Sequence, residues 1–320
     1  MNYGLSYYVH CFTHLKRDRK NGGAPHKPVL LLSIIQLFER NLFLNNQICV
    51  IPELVSSFKV IWSKLVVTNH YPIFALPYYH MGSEPFWRLV ANAGCEKWVE
   101  SKSSMRSFSN LTTAVKYALI DKDLSDLLLQ QESRDVLKAS ILDKYFPDTK
   151  QCFNITEKDD ILSGSILHSP SDEYKRRIIE MKNTIEENAF QEEIFIRGGL
   201  FKREIPKIYN YTCAISGLRV SAIANVSMVD ACHIVPFSDC YDDTLSNGIA
   251  LCPNLHRAFD RGLVAISDDY TVLVKSDFVE NKSSPFNISQ FAGKHILLPV
   301  SKELYPSLDN LAKHRNKFSF

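Results

Sequence analysis

Two histidines and an asparagine stand in one short, turn-rich stretch of the chain between residues 230 and 262. His233, Asn247 and His256 follow one another at steps of 14 and 9 residues, and acidic residues lie on both sides of them. An imidazole can take a proton from water, and a second imidazole can hold a cation that offsets negative charge. An amide can keep the first imidazole in place. These are the groups that hydrolysis of a phosphodiester requires.

The same stretch indicates the elements that must position these side chains. "VSMVDACHIVPF" has a strand-like pattern that ends at Pro236, and "SNGIALCPN" follows it after a loop rich in Asp and Ser. "LHRAFDRG" predicts a short helix that is closed by Gly262. Two strands and a helix can bring His233, Asn247 and His256 around one point, although 23 residues separate the first from the last.

With its flanks "FKREIPKIYNYTCAISG" and "HRAFDRGLVAI", the stretch resembles the HNH endonuclease family over about residues 197 to 270. The ββα-metal fold of that family carries a His, an Asn and a final His at comparable steps. The resemblance implies that His233 is the general base that activates water and that Asn247 orients its imidazole. It also implies that His256 binds a divalent metal ion, Mg²⁺ or Mn²⁺.

The sequence favours Asp230 over Asp260 as the second metal ligand. Many members of the family have an acid or a His immediately before the base, where this chain has Cys232. Asp230 shares a strand face with Cys232, so it can reach the metal if the strand bends, and a hard ion prefers oxygen to thiol. Asp260 is the alternative, because it lies four residues after His256 on the same helix face.

Three segments of the first 150 residues resemble the sulfur-binding domain of restriction nucleases that attack phosphorothioate DNA. They are "APHKPVLLL", "YPIFALPYYHMGSEPFWRLV" and "ALIDKDLSDLLLQQESRDVLKASILDKYFP", and the likeness covers roughly residues 10 to 150. The sulfur cup of that family uses a Tyr-Pro pair and a small residue three positions beyond the Pro. Tyr71, Pro72 and Ala75 have this spacing, and the resemblance places His26 and Lys27 beside the cup as partners for backbone charge.

Sulfur chemistry explains why an apolar cup would select such DNA. Sulfur is larger and less hydrated than a phosphate oxygen, which would lose its water in the cup. Arg88 and His80 are expected to add DNA contacts. A second aromatic run, "PYYHMGSEPFW", follows Ala75 directly, so more than one Pro is available to form the cup. A modified base or an unmodified sequence motif stays open as the target.

Local patterns predict the remaining elements. Apolar periodicity predicts buried helices over Pro28–Arg40 and over "IPELVSSFKVIWSKLV", whereas three prolines between residues 72 and 85 favour short extended pieces and turns. "KWVES" is typical of a strand, and residues 109–147 show three helical patterns. "DEYKRRIIEMKNTIEENAFQEEIF" predicts an exposed connecting helix after a polar linker.

The predicted organisation is an α+β protein. A helical or mixed DNA-recognition domain resembling the sulfur-binding domain covers residues 1–150, a linker and connecting helix cover 151–196, and an HNH ββα-metal nuclease domain covers 197–320. Arg257 and Arg261 in the last domain are either phosphate contacts or ordinary helix-surface charges.

Composition narrows the protein class. The formal net charge is +2, and the basic residues gather in "HLKRDRK" and "KHRNKF", which are either solvated surface or patches for an anionic partner. No run of 18 apolar residues occurs, so no membrane span is expected. The N-terminus lacks the pattern of a secretion signal, which favours the cytoplasm. The absence of a CxxC pair argues against a structural zinc site.

These patterns together predict a metal-dependent endonuclease that acts on double-stranded DNA and restricts phosphorothioate-modified DNA. One alternative is an HNH restriction endonuclease that cuts a sequence motif in unmodified DNA. Another is a non-catalytic DNA-binding module. Cleavage of both strands requires two active sites or two successive nicks, and a homodimer is one way to supply two sites.

Overall fold

The computed structural model describes residues 3–19, 22–101, 104–153, 166–220 and 227–320. The chain divides into two compact units. Unit 1 comprises residues 1–160 and 185–196, and unit 2 comprises residues 161–184 and 197–320. The stretch 151–196, which we expected to be a linker and one connecting helix, is therefore shared between the two units.

Unit 1 combines helices with a small antiparallel sheet. Its helices are α1 (Leu5–Thr13), α2 (His26–Glu39), α3 (Pro52–Leu65), α4 (Ala75–His80), α5 (Glu96–Val99), α6 (Phe108–Ala114), α7 (Lys122–Leu128) and α8 (Gln131–Tyr145). Its strands are β1 (Gln47–Ile48), β2 (Trp87–Ala91) and β3 (Val115–Ile120). Strand β3 lies between the other two and pairs antiparallel with both.

Helix α2 forms part of the core of unit 1. Every residue from Lys27 to Phe38 is buried, as expected for a helix that is apolar around most of its circumference. The helix predicted over Pro28–Arg40 is confirmed, with its first turn beginning two residues earlier at His26. Helix α3 also matches its prediction and carries Pro52 in its first turn. Proline has no N–H, but the N–H groups of the first turn have no partner within the helix, so no hydrogen bond is lost.

Three predictions of local structure in unit 1 are wrong. "KWVES" forms helix α5 rather than a strand. Residues 115–120 form strand β3 rather than part of a helix, because pairing with two neighbouring strands outweighs local propensity. The proline-rich stretch contains helix α4, since Pro77 falls in its first turn, where its missing N–H has no partner within the helix.

Unit 2 contains helices and two separate strand pairs. Its helices are α9 (Ser171–Thr184), the second half of α10 (Glu187–Ile208), α11 (Phe237–Cys240), α12 (Pro253–Asp260) and α13 (Leu308–Phe318). Its strands are β4 (Asp230–His233), β5 (Gly248–Leu251), β6 (Val264–Ile266) and β7 (Val272–Val274). The predicted connecting helix is thus two helices, α9 and α10.

Strands β4 and β5 and helix α12 form the strand-strand-helix element that the sequence predicts. The strands pair antiparallel, with His233 opposite Gly248. A Cβ atom at Gly248 would collide with the side chains of Ile205 and Phe201 on helix α10, so any larger residue would force these side chains to shift. Gly262 ends the element with a φ of +65°, which glycine adopts without a steric penalty.

Within the described ranges, no helix is both long enough and apolar enough to cross a membrane.

Candidate functional site

His233 lies at the end of strand β4, with its side chain 24% exposed. Its ring stacks on Phe201 at a centroid distance of 3.9 Å. The Nε2 atom is 2.8 Å from Oδ1 of Asp243. An ionised carboxylate can only accept a hydrogen bond, so Nε2 carries the proton and Nδ1 presents a lone pair. This tautomer leaves Nδ1 able to take a proton from water.

Asp243 is a site residue that the sequence analysis did not identify. It is 2% exposed, and its second carboxylate oxygen lies 3.5 Å from the hydroxyl of Tyr174. Burial, helped by the nearby charge of Asp243, raises the pKa of Tyr174, which therefore remains a neutral donor. The sequence signal was two consecutive acids between His233 and Asn247, but their burial becomes visible only in the fold.

Asn247 is fully buried, and its side chain forms hydrogen bonds with backbone groups. Its side-chain oxygen accepts from the N–H of Val235 at 3.0 Å, and its amide nitrogen donates to the carbonyls of Val235 and Asp242, both at 2.9 Å. The side chain therefore fastens both ends of the loop between His233 and Asp243. The resemblance implies that Asn247 orients the imidazole, whereas the side chain hydrogen-bonded to the imidazole in the structure is that of Asp243.

His256 stands on helix α12 between the two acids considered as metal ligands. Its Nδ1 is 3.4 Å from Asp230, and its Nε2 is 3.4 Å from Asp260. The two ring nitrogens face opposite directions, so the two acids lie at opposite edges of the ring. The Cys232 thiol lies 3.8 Å from Asp260. Ligand atoms of Cys232, His256 and Asp260 all lie within 4.8 Å of one another.

These donors fit a divalent ion held mainly by nitrogen and oxygen. Burial raises the pKa of the Cys232 thiol well above its ordinary value, and the charge of Asp260 adds to the shift. The thiol therefore stays protonated and is a poor ligand without a metal to displace its proton. An imidazole nitrogen and a carboxylate oxygen suit Mg²⁺ or Mn²⁺ better than a thiol does.

One cavity of about 240 Å³ connects His233 to His256 and Asp260. Its lining includes His233, His256 and Asp260, whereas Asp230 is not among the described residues that line it. Its other walls come from the loop after strand β4 and from the C-terminal helix: Ile234, Pro236, Phe237, His314, Lys317 and Phe318. The geometry favours Asp260, the alternative in the sequence analysis, over Asp230 as the partner of His256 at this cavity.

In unit 1, His26 is close to Tyr71, as the resemblance requires, but it carries no charge near neutral pH. Its Nε2 donates to the Tyr71 carbonyl at 2.9 Å, and its ring lies 4.7 Å from that of Trp62. Burial lowers the pKa of His26 to about 4. The ring can therefore donate or stack, but it is not a cation for a DNA phosphate.

Lys27 also forms an ion pair within unit 1. Its ammonium donates to Ser83 at 2.8 Å and to Glu84 at 2.5 Å, and both Lys27 and Glu84 are buried. Burial lowers the pKa of Lys27, although Glu84 opposes that shift. The positive charge of Lys27, which the resemblance assigned to DNA contacts, is therefore balanced by Glu84, 57 residues away along the chain.

Tyr71, Pro72 and Ala75 do not form one cup. Tyr71 is 77% exposed and Pro72 is exposed, but Ala75 is fully buried because helix α4 begins there and turns that side chain into the core. Arg88 is exposed on strand β2, opposite Leu119. The Tyr-Pro-x-x-Ala spacing is present in the sequence, but it does not produce the expected surface.

A different concave surface exists in unit 1, with a volume of about 930 Å³. Ile73, Leu76 and Pro77 supply an apolar wall. Its other lining residues include the uncharged His26, the ion-paired Lys27, the basic side chains of Lys16, Arg17, His80 and Arg106, and the acids Asp18 and Glu186. Neither Tyr71, Pro72 nor Ala75 is among its described lining residues.

Comparison with known proteins identifies one part of the chain. Residues 213–267, which include His233, Asn247 and His256, match the family described as HNH endonuclease. Unit 2 therefore contains an HNH endonuclease domain, which supports a nuclease role. No curated protein matches the chain.

A solved structure described as the modification-dependent TagI restriction endonuclease is similar to part of the chain. The two are 21% identical, with a TM-score of 0.30, and the similarity covers 39% of each chain. The match thus spans less than half the length of that protein.

Proposed function

We propose that the protein is a metal-dependent endonuclease whose unit 2 hydrolyses phosphodiester bonds of double-stranded DNA. The observation that carries this proposal is the single cavity lined by His233, His256 and Asp260. A general base and a pair of metal donors beside one cavity are what in-line attack of water on a phosphodiester requires.

His233 acts as the general base. Its Nδ1 takes a proton from water, and the resulting hydroxide attacks phosphorus in line as the bond to the 3′ oxygen breaks. The leaving 3′ oxygen takes a proton from solvent water, and His233 later returns its proton to solvent. The imidazole then carries a positive charge, which the buried carboxylate of Asp243 stabilises through the 2.8 Å hydrogen bond to Nε2. Asn247 holds the backbone on both sides of this pair, so that the ring and the carboxylate keep their relative position.

His256 and Asp260 would hold the divalent ion, Mg²⁺ or Mn²⁺. When bound, the ion would supply electrostatic stabilisation of the leaving 3′ oxygen. Asp230 accepts from Nδ1 of His256 and so leaves Nε2 available on the cavity side, as an outer partner of a metal-binding histidine commonly does. Asp230, which sequence alone favoured as the ligand, is thereby assigned a positioning role.

The test compares three proteins on one DNA substrate. His233→Ala is expected to abolish cleavage and to preserve DNA binding, because the base contributes to chemistry rather than to affinity. His295→Ala is a matched control, since His295 is exposed and hydrogen-bonded to Asp269 away from the cavity lining. Cleavage by His233→Ala at the unmodified protein's rate, in Mg²⁺ or Mn²⁺, contradicts the assignment.

For unit 1 we propose recognition of phosphorothioate-modified DNA at the concave surface of about 930 Å³. An apolar wall beside Lys16, Arg17 and Arg106 supports this assignment, because sulfur needs a poorly hydrated neighbour and the adjoining phosphates need cations. The apolar contact comes from Ile73, Leu76 and Pro77 instead of Tyr71, Pro72 and Ala75.

The recognition step is tested with two plasmids that are identical except for phosphorothioate. Preferential cutting of the modified plasmid is the expected result. Equal cutting of both favours the alternative of a restriction endonuclease that reads an unmodified motif. DNA binding without strand breaks in Mg²⁺, Mn²⁺ and Co²⁺ favours a non-catalytic binding module.

Two active sites in a homodimer would cut both strands in one binding event. Analytical ultracentrifugation with DNA, combined with a count of nicked and linear plasmid over time, tests this proposal. Linear product without a nicked intermediate supports a dimer, whereas a monomeric complex that accumulates nicked plasmid contradicts it.

A further inference from the structure

The C-terminal helix α13 borders the catalytic cavity. His314, Lys317 and Phe318 line the cavity together with His233 and His256. The basic cluster "KHRNKF" lies in this helix, and its sequence alone fits either surface charge or a functional patch. The three side chains occupy different environments, and only Lys317 combines a positive charge with a place at the cavity.

Several contacts fix helix α13 against the rest of unit 2. The His314 ring stacks on Phe259 at 3.7 Å, and its Nε2 donates to the Phe259 carbonyl at 3.0 Å. Arg315 donates to the Ile266 carbonyl at 2.6 Å. Phe318 packs over Gly262, where a Cβ atom would collide with its ring. The helix therefore holds the backbone of Lys317 in a defined position beside helix α12.

The present partner of Lys317 can be exchanged. Its ammonium is 2.8 Å from the carboxylate of Asp239, which lies on helix α11 shortly after the strand that carries His233. Both side chains are about half exposed, at 49% and 46%. Ion pairs with this exposure contribute little to stability. An incoming phosphate can therefore take the place of Asp239 at small cost.

A phosphate bound at the cavity requires a positively charged side chain nearby. A divalent ion on His256 and Asp260 would offset the charge of Asp260, but attack on the scissile phosphate adds further negative charge as the transition state forms. Lys317 is the one Lys or Arg among the described residues that line the cavity. Arg257 and Arg261, which sequence alone suggested as phosphate contacts, are not in this lining.

We propose that Lys317 binds a nonbridging oxygen of the scissile phosphate and offsets its charge during hydrolysis. This inference rests on the proposed nuclease function and adds a residue from outside the HNH segment to its substrate-binding site. Asp239 keeps the ammonium in place before DNA binds, and the phosphate displaces it.

The first test is single-turnover cleavage by four variants and the unmodified protein. Lys317→Ala is expected to be slower by about 10²-fold, as found when one charge-stabilising donor is removed, and Lys317→Arg to keep most of the rate. Lys313→Ala is the matched control, because Lys313 is exposed one turn earlier on the same helix. Asp239→Asn is expected to retain cleavage. Equal losses in Asp239→Asn and Lys317→Ala would mean that the ion pair matters only for structure.

The second test measures DNA affinity against salt concentration without a catalytic metal. Loss of one phosphate contact in Lys317→Ala is expected to reduce the slope of log K against log salt by about 1, with no change in Lys313→Ala. An unchanged slope and an unchanged rate in Lys317→Ala overturn the inference. Failure of the unmodified protein to cut any DNA overturns the nuclease proposal instead, and the salt slope still decides whether Lys317 contacts a phosphate.

Discussion

Replacing Asp243 with Asn tests how the base is held. The Asp243 carboxylate accepts from Nε2 of His233 at 2.8 Å and is almost fully buried. An amide is nearly the same size but has no charge. It either accepts more weakly through its oxygen, or presents its NH₂ group and so favours the tautomer with the proton on Nδ1. In that tautomer Nδ1 has no lone pair for the proton of water.

The expected size of the effect follows from this geometry. General base catalysis by a positioned side chain typically contributes about 10²- to 10⁴-fold. Asp243→Asn leaves the imidazole in place but weakens its orientation and removes the charge that stabilises the imidazolium. We therefore expect cleavage to slow by about 10²-fold, which corresponds to about 2.7 kcal/mol of activation free energy.

The assay is single-turnover cleavage of a labelled duplex with protein in excess, so that the rate reports chemistry rather than product release. Asp242→Asn is the matched control. Asp242 is equally buried but accepts from Ser171 and Thr244, so its loss is expected to lower stability and to leave the cleavage rate nearly unchanged.

A double variant gives the sharper result. If Asp243 acts through His233, the protein with both His233→Ala and Asp243→Asn is no slower than His233→Ala alone, because residues that act as a unit are not additive. Losses that multiply in the double variant, or an unchanged rate in Asp243→Asn, refute the reasoning.

Four further predictions concern stability and metal binding. Asn247→Ala is expected to lower the unfolding free energy by about 3 kcal/mol, measured by urea denaturation, because three hydrogen bonds to buried backbone groups are lost at about 1 kcal/mol each. Gly248→Ala is expected to destabilise by about 1–3 kcal/mol in the same assay, because its Cβ atom would overpack the core against helix α10. Burial lowers the pKa of His314 to about 4, so the unfolded chain takes up this proton first and stability falls between about pH 6.5 and about pH 4, by up to about 3 kcal/mol. That part of the pH dependence is expected to disappear in His314→Gln. Mn²⁺ at about 100 times its Kd is expected to stabilise the unmodified protein by about 2.7 kcal/mol in a thermal melt and to have little effect on His256→Ala. An unchanged stability, an unchanged pH dependence or an equal metal response would contradict the corresponding prediction.

The strand-strand-helix element could be predicted because its signals are local. Residue types at fixed steps, a turn-rich loop and Gly262 all lie within a few dozen residues. Asp243 could not be assigned in the same way, since its buried surroundings include Tyr174 of helix α9, about 70 residues earlier in the chain. Asn247 was identified as a site residue from the sequence. The hydrogen-bond partners of its side chain are backbone atoms, which cannot be predicted from residue types.

Unit 1 shows where spacing misleads. Tyr71, Pro72 and Ala75 have the expected steps, yet a helix begins at Ala75 and buries it. Lys27 reads as a free cation until Glu84 is found beside it in the fold. Strand β3 has a pattern that suits a helix, and its strand conformation depends on pairing with β1 and β2. The errors at Lys27 and at strand β3 arise from contacts between residues far apart in sequence, whereas the error at Ala75 arises from the local start of a helix.

The central claim is that one cavity unites the base His233 with a metal held by His256 and Asp260. The most direct measurement is an anomalous difference map from crystals soaked in Mn²⁺. We expect a peak bonded to Nε2 of His256 and to a carboxylate oxygen of Asp260, each at about 2.0–2.2 Å, inside the cavity that His233 lines. A peak on the Asp230 side of the ring, or none at this cavity with Mn²⁺ bound elsewhere, would contradict it.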